Sequence, residues 1–244
     1  MNDMRPTMVV GGSRGLGRGI ALAFARAGAP VVAVARTESA LRELAAETPG
    51  IDIEVADAAD PTVPGALLDR HRPDILIIVA GATPLMRPLH QHTWETFSAN
   101  WNTDVRIAFH WLREALLTPL PPGARVIVVS SGAAVHGSPL SGGYAGAKAT
   151  QRFITGYAQD ESRRAGSDIT FTTVLPRITP ATSLGLPAVR AYAARAGRSV
   201  QAYIEQSGEP LTPEIAGAAL LELACAGEPA ASYQLTADGL TALP

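Results

Sequence analysis

Two hydrophobic patterns alternate along the chain. Short strand-like segments occupy Thr7–Val10, residues 30–35, Ile51–Val55, residues 75–79, 125–129, 169–174 and 233–235, those at 75–79 and 125–129 being almost wholly Val, Ile and Leu. Runs of this length rich in Val and Ile mark strands buried on both faces, as in a parallel sheet. Between them apolar residues recur near every 3.6 positions, the mark of helices with one buried face. Such stripes are Ile20, Ala21, Phe24 and Ala25, ending at Gly28, and Leu41, Leu44 and Ala45 within residues 37–47. A third is Trp101, Val105, Phe109 and Leu112 within about 101–117, and a long helix starts at Tyr144. Residues 189–194 repeat helically, and Thr212-Pro213-Glu214 supplies a capping residue, a first-turn proline and an early acid for a last helix. Strand-helix alternation over 244 residues predicts one α/β domain: a doubly wound parallel sheet of about seven strands with helices on both faces.

The residues with chemical potential fall where these strands end. The first strand runs into Gly11-Gly12-Ser13-Arg14-Gly15-Leu16-Gly17 and then a helix. Glycines allow positive φ and let a diphosphate approach bare backbone at a helix N-terminus, where free N–H groups and the dipole favour anions. Arg36 ends the second strand, where an acidic residue would bind a ribose 2′-hydroxyl. It either holds a 2′-phosphate together with Arg14 or is a solvated residue at the start of a helix, and Glu38 stands close by. Asp57, Ala80-Gly81, Ser131 and Pro176 close the next strands, and in an open parallel sheet such ends share one rim. Nineteen of the twenty cationic side chains are arginines. The single lysine, Lys148, stands four residues after Tyr144, so both share a helix face. A compact ammonium differs from a planar guanidinium where space is tight, and beside a phenol it favours proton exchange nearer neutral pH.

Ser131, Tyr144 and Lys148 at these spacings, with the Gly-x-x-x-Gly-x-Gly turn, resemble the short-chain dehydrogenase/reductase family from the first strand to the C-terminal Asp-Gly. The resemblance implies a Rossmann-type fold, and hydride transfer between NADP(H), or NAD(H), and a carbonyl or secondary alcohol. Tyr144 would exchange the proton, Ser131 orient the oxygen, and Lys148 hold the nicotinamide ribose. Asn102 would support a proton-relay water, with Asn100 the other candidate. Gly11, Ser13, Arg14, Gly15, Leu16 and Gly17 would cradle the cofactor with Arg36 and Asp57; Asp57 would meet the adenine, unless it is only a strand-end turn residue. Ala80, Gly81 and Pro176 would flank the cofactor as well. Ala133, Val135, His136, Leu140, Arg177 and Leu184 would line a substrate pocket for a medium-sized hydrophobic ketone or alcohol, beneath a lid at about 177–210. Arg177 either faces solvent or reaches inward. Two departures stand out: Ile78-Val79 replaces the family's Asn-Asn, and Pro176-Arg177 replaces its Pro-Gly. The first leaves open an alternative, a non-catalytic cofactor sensor or partner-binding protein.

Composition narrows the rest. A hydrophobic content of 47% suits a well-buried core, and a net charge of −2 with scattered basic residues argues against nucleic acid. Cys225, the one cysteine, excludes a disulfide framework and reads as a core thiol; His90 and His92, two apart in a loop and without further ligands, read as solvated, so no metal is expected. The start Met-Asn-Asp-Met-Arg-Pro has no signal-like apolar stretch and no run of about eighteen apolar residues follows, which predicts a cytoplasmic protein without membrane association. The helices at about 101–117 and 144–165 carry more apolar and small residues than one sheet face needs. In the family these form the subunit interface, implying a homodimer or homotetramer.

Overall fold

The computed structural model of the chain describes residues 5–118 and 120–244; residues 1–4, the greater part of the N-terminal stretch considered above, lie outside it. Seven parallel strands form: β1 (Thr7–Val10), β2 (Val31–Ala35), β3 (Ile51–Val55), β4 (Ile75–Ile78), β5 (Arg125–Val129), β6 (Thr170–Pro176) and β7 (Ser232–Thr236). An eighth, β8 (Gly239–Leu243), returns antiparallel on β7, giving the order β3-β2-β1-β4-β5-β6-β7-β8. The sequence expectation stopped at seven because Asp238-Gly239, read as an ending, is part of a tight hairpin turn; Gly239 takes φ +104° there.

Alternating side chains of each strand enter separate cores, the signature of a sheet covered on both sides. Val9, Ile77 and Ile127 pack on one face with Ile20 and Phe24 of α1 (Gly15–Arg26), Leu41 and Leu44 of α2 (Glu38–Glu47) and Leu220 of α10 (Pro213–Cys225). Met8, Val10, Ile78 and Val128 pack on the other with Leu67 and Leu68 of α3 (Val63–His71) and with Ile107 and Trp111 of α5 (Arg106–Leu117). Thr212 caps α10 as its sequence suggests, accepting the Ile215 N–H at 3.2 Å.

Four expectations need correction. The helix at 101–117 is composite: α4 (Trp94–Asn100) opens with a reciprocal Thr93/Thr96 capping box, a π-helical turn spans Trp101–Val105, and α5 follows. The wider turn shifts the phase, so Trp101 and Phe109 are exposed, and the buried face is Asp104, Ile107, Ala108, Trp111, Leu112 and Ala115, which keeps only Leu112 of the expected stripe fully inside. Cys225, the last residue of α10, is exposed, because Leu220, Leu223 and Ala224 take the inward positions. His92 is not a free solvated side chain: it is half-buried, its ring nitrogens lying 3.2 Å from Thr96 Oγ1 and 3.1 Å from the Arg87 carbonyl. The stretch at 177–210 contains two helices, α8 (Gly185–Arg195) and α9 (Val200–Gln206), rather than one. Among the described residues no helix is long and apolar enough to cross a membrane.

Candidate active site

β1 pairs with both β2 and β4, so chain direction through the sheet reverses beside β1, where an open α/β sheet leaves a crevice at its strand ends. A cleft of about 730 Å³ opens there. Its floor is the glycine turn. Gly11 has φ +91°, and a Cβ on it would sit 2.6 Å from the Ala80 nitrogen; one on Gly17 would meet the Gly11 carbonyl at 2.1 Å. Only bare backbone closes this turn. Arg14 caps α1 without a side-chain hydrogen bond and the first turn holds no acid, so the leading N–H groups are left for an anion. A dinucleotide fits this donor set: N–H groups for a diphosphate, with the exposed Arg14 and Arg36 lining the same cleft. Glu38, two residues beyond Arg36, is engaged by Arg42 at 2.6 Å. Asp57 lines the cleft and its Oδ1 also accepts the Ala59 N–H at 3.0 Å, so it serves as a strand-end turn residue.

The opposite wall comes from β5 and α7 (Tyr144–Ala165). Ser130 Oγ donates to the Lys148 carbonyl at 2.7 Å, pinning α7 to the end of β5, while Ser131 lines the cleft and its Oγ accepts the Ala133 N–H at 3.2 Å. Tyr144 is the first residue of α7, and Lys148, one turn on, places Nζ 5.6 Å from the Tyr144 ring centroid. Both line the cleft. Lys148 Nζ also lies 3.2 Å from Asp104 Oδ2, the two side chains being 5% and 0% exposed, and donates to Gln151 Oε1 at 3.1 Å. Burial pushes the Lys148 ammonium toward neutrality; the Asp104 carboxylate, with Tyr144, outweighs it and holds the lysine above its ordinary range.

The cofactor candidates Gly11, Ser13, Arg14, Gly15, Leu16, Gly17, Ala80, Gly81 and Pro176 all line this cleft. So do Ala133, His136, Arg177 and Leu184, Arg177 being exposed at the mouth with Nη1 near Gly208 of the lid. Four candidates do not. Asn102 is exposed in the π-helical turn and donates to Ser98 Oγ at 3.4 Å; the turn presents Asp104 to Lys148 instead. Asn100 is buried and donates to the Ala82 carbonyl at 2.8 Å. Val135 is exposed on the short α6 (Ala133–His136), and Leu140 is buried while its neighbours Pro139 and Ser141 line the cleft. Polar residues that sequence reasoning missed take their place: Ser138, whose Oγ lies 2.6 Å from Tyr192 Oη of α8, together with Tyr203 and Gln234. The lid thereby ties to the loop before Tyr144, and these hydroxyls share the lining with the apolar Pro84, Met86, Ile178, Leu184 and Ala188.

A profile of the short chain dehydrogenase family matches residues 6–189. L-xylulose reductase of Mesocricetus auratus is 35% identical over 102 residues, 42% of each chain. Carbonyl reductase [NADPH] 2 of Sus scrofa is 34% identical over 102 residues, again 42% of each, so the chain matches less than half the length of either relative. A short chain dehydrogenase from Mycobacterium avium superposes with a TM-score of 0.77, covering 99% of this chain and 85% of that one at 20% identity, a likeness of fold. With the profile running from β1 through the Ser131, Tyr144 and Lys148 wall into the lid, the chain belongs to the short-chain dehydrogenase family.

Proposed function

We propose that the chain catalyses reversible hydride transfer between NADP(H) and a small carbonyl compound or secondary alcohol. The observation that carries this reading is the presence of Ser131, Tyr144 and Lys148 on the wall of the same cleft whose floor is the bare glycine turn. A bound nicotinamide dinucleotide supplies or accepts the hydride. The glycine turn and the free N–H groups of α1 bind its diphosphate, and Lys148 offers an N–H donor to its ribose. Tyr144 Oη gives its proton to the carbonyl oxygen during reduction and takes it back during oxidation, while Ser131 Oγ hydrogen-bonds that oxygen. The lid, tied down through Ser138 and Tyr192, excludes water. A panel of ketones and secondary alcohols, small polar compounds included, followed at the nicotinamide absorbance tests the reading. Turnover with at least one class is expected; tight cofactor binding with no turnover across the panel favours a sensor.

NADP(H) is the expected cofactor because Arg14 and Arg36 line the adenosine end and make no ion pair among the described residues. The NADPH named in the pig relative agrees. Arg36→Ala should weaken NADPH binding by about 10- to 100-fold, the worth of one charge-assisted phosphate contact, and leave NADH binding nearly unchanged. Isothermal titration of both cofactors checks this; wild type binding NADH as well as NADPH would reverse the assignment.

The same reading extends to assembly. Trp101, Phe109 and Leu117 on one helical segment and Phe153 and Tyr157 on the neighbouring α7 are all exposed aromatic or aliphatic side chains, more than a solvated face needs. A closed homodimer or homotetramer built on these helices would cover them. Light scattering at micromolar concentration should return at least twice the monomer mass, and Phe153→Glu with Tyr157→Glu should reduce it.

A further inference from the structure

Among the described residues Asp104 is the one charged side chain at 0% exposure. Three elements are shaped around it. Its Oδ1 accepts the Ala82 N–H at 2.8 Å and lies 3.4 Å from Asn100 Nδ2, which itself donates to the Ala82 carbonyl at 2.8 Å. Its Oδ2 makes no well-aligned hydrogen bond among the described residues and has the Lys148 ammonium at 3.2 Å as its partner. Gly81 leaves the space the carboxylate occupies, since a Cβ there would stand 2.9 Å from Oδ2. Gln151 closes the arrangement, accepting from Lys148 Nζ at 3.1 Å and donating Nε2 to the Asp104 carbonyl at 2.9 Å.

An ammonium has three donors; Gln151 takes one, and Asp104 Oδ2 stands against the charge at 3.2 Å. A lysine this deeply buried without a counter-ion tends to neutrality, and a carboxylate buried without a cation is costly, so each ionised group depends on the other. We propose that Asp104 is a positioning residue for Lys148: a fixed internal counter-ion that keeps the lysine ionised and, with Gln151, leaves one of its N–H donors for a ligand in the cleft. The consequence for turnover rests on the hydride-transfer reading above; the charge state of Lys148 does not. The titratable groups facing Lys148 are Asp104 from the π-helical turn and Tyr144 from its own helix, while the ends of β4 and β5 present Gly81 and Ser130, which carry no charge. The upward displacement of the lysine agrees with this balance.

Lys148 is the chain's only lysine, so protein grown on isotope-labelled lysine gives a single side-chain resonance, and its titration by NMR needs neither substrate nor cofactor. The wild-type ammonium should persist beyond the ordinary lysine value, and Asp104→Asn, which keeps the shape and removes the charge, should bring the midpoint down. In turnover, the ratio of wild-type to Asp104→Asn kcat/KM should be smallest at low pH and grow about tenfold per pH unit once the variant's lysine has titrated. A wild-type lysine titrating below its ordinary value overturns the proposal even if the variant does not fold. An unchanged midpoint in Asp104→Asn, with activity lost equally at every pH, reduces Asp104 to a structural role and overturns it as well. Absence of turnover in the wild type would count against hydride transfer and leave the lysine titration to decide this proposal by itself.

Discussion

Tyr144→Phe is expected to lower kcat/KM by about 100- to 10,000-fold, the usual worth of a positioned proton donor, while dinucleotide affinity stays within about twofold. The change removes one oxygen from a ring that is buried at the first turn of α7 and keeps every carbon in place, so packing survives. Circular dichroism and a thermal melt should match wild type. An effect confined to KM would mean that Tyr144 binds substrate without exchanging its proton.

Lys148→Arg should be nearly as damaging to activity, about 100-fold or more, although the formal charge is unchanged. The guanidinium is wider than the ammonium, and it would have to fit among Asp104, Gln151 and the Ser130 end of β5, where 5% of the lysine side chain reaches solvent. Lys148→Met removes the charge and leaves Asp104 buried alone, which should cost about 3–5 kcal/mol and lower the melting temperature. The pH dependence of the native pair follows from the direction of the lysine shift. The folded value lies above the unfolded one, so the stabilisation is complete below the ordinary lysine range and disappears only as pH climbs through the raised folded value. Chemical denaturation at pH 7 and at strongly alkaline pH should show the difference between wild type and Lys148→Met narrowing with pH. A Lys148→Arg protein with normal kinetics would show that any cation suffices at this position.

The glycine turn, the strand delivering Ser131 and the Tyr144–Lys148 face were legible because each is written in local sequence: glycines where side chains collide, a run of valines and isoleucines, a four-residue spacing on a helix. Asp104 was not. Its placement depends on the π-helical turn at Trp101–Val105, which advances the helix phase so that an aspartate enters the interior while Trp101 and Asn102 leave it. Read at a constant 3.6 residues per turn, the stripe Trp101, Val105, Phe109 and Leu112 looked like a core face, but only Leu112 of it belongs to the true face that begins at Asp104 and Ile107. Helix α3 carries a proline and a glycine in nine residues and has no clear stripe, so nothing local announced it. The polar lining from Ser138, Tyr192 and Tyr203 joins segments more than fifty residues apart and arises only once the lid folds over the rim.

The most direct test of hydride transfer is the fate of a labelled hydrogen. With NADPH carrying deuterium at the transferring position and a ketone found active, mass spectrometry of the product should show one deuterium on the new carbinol carbon with the wild-type chain. The Tyr144→Phe variant should form that product far more slowly. Alcohol formed without deuterium from either face-labelled cofactor, or at equal rates by the two proteins, would contradict hydride transfer assisted by Tyr144.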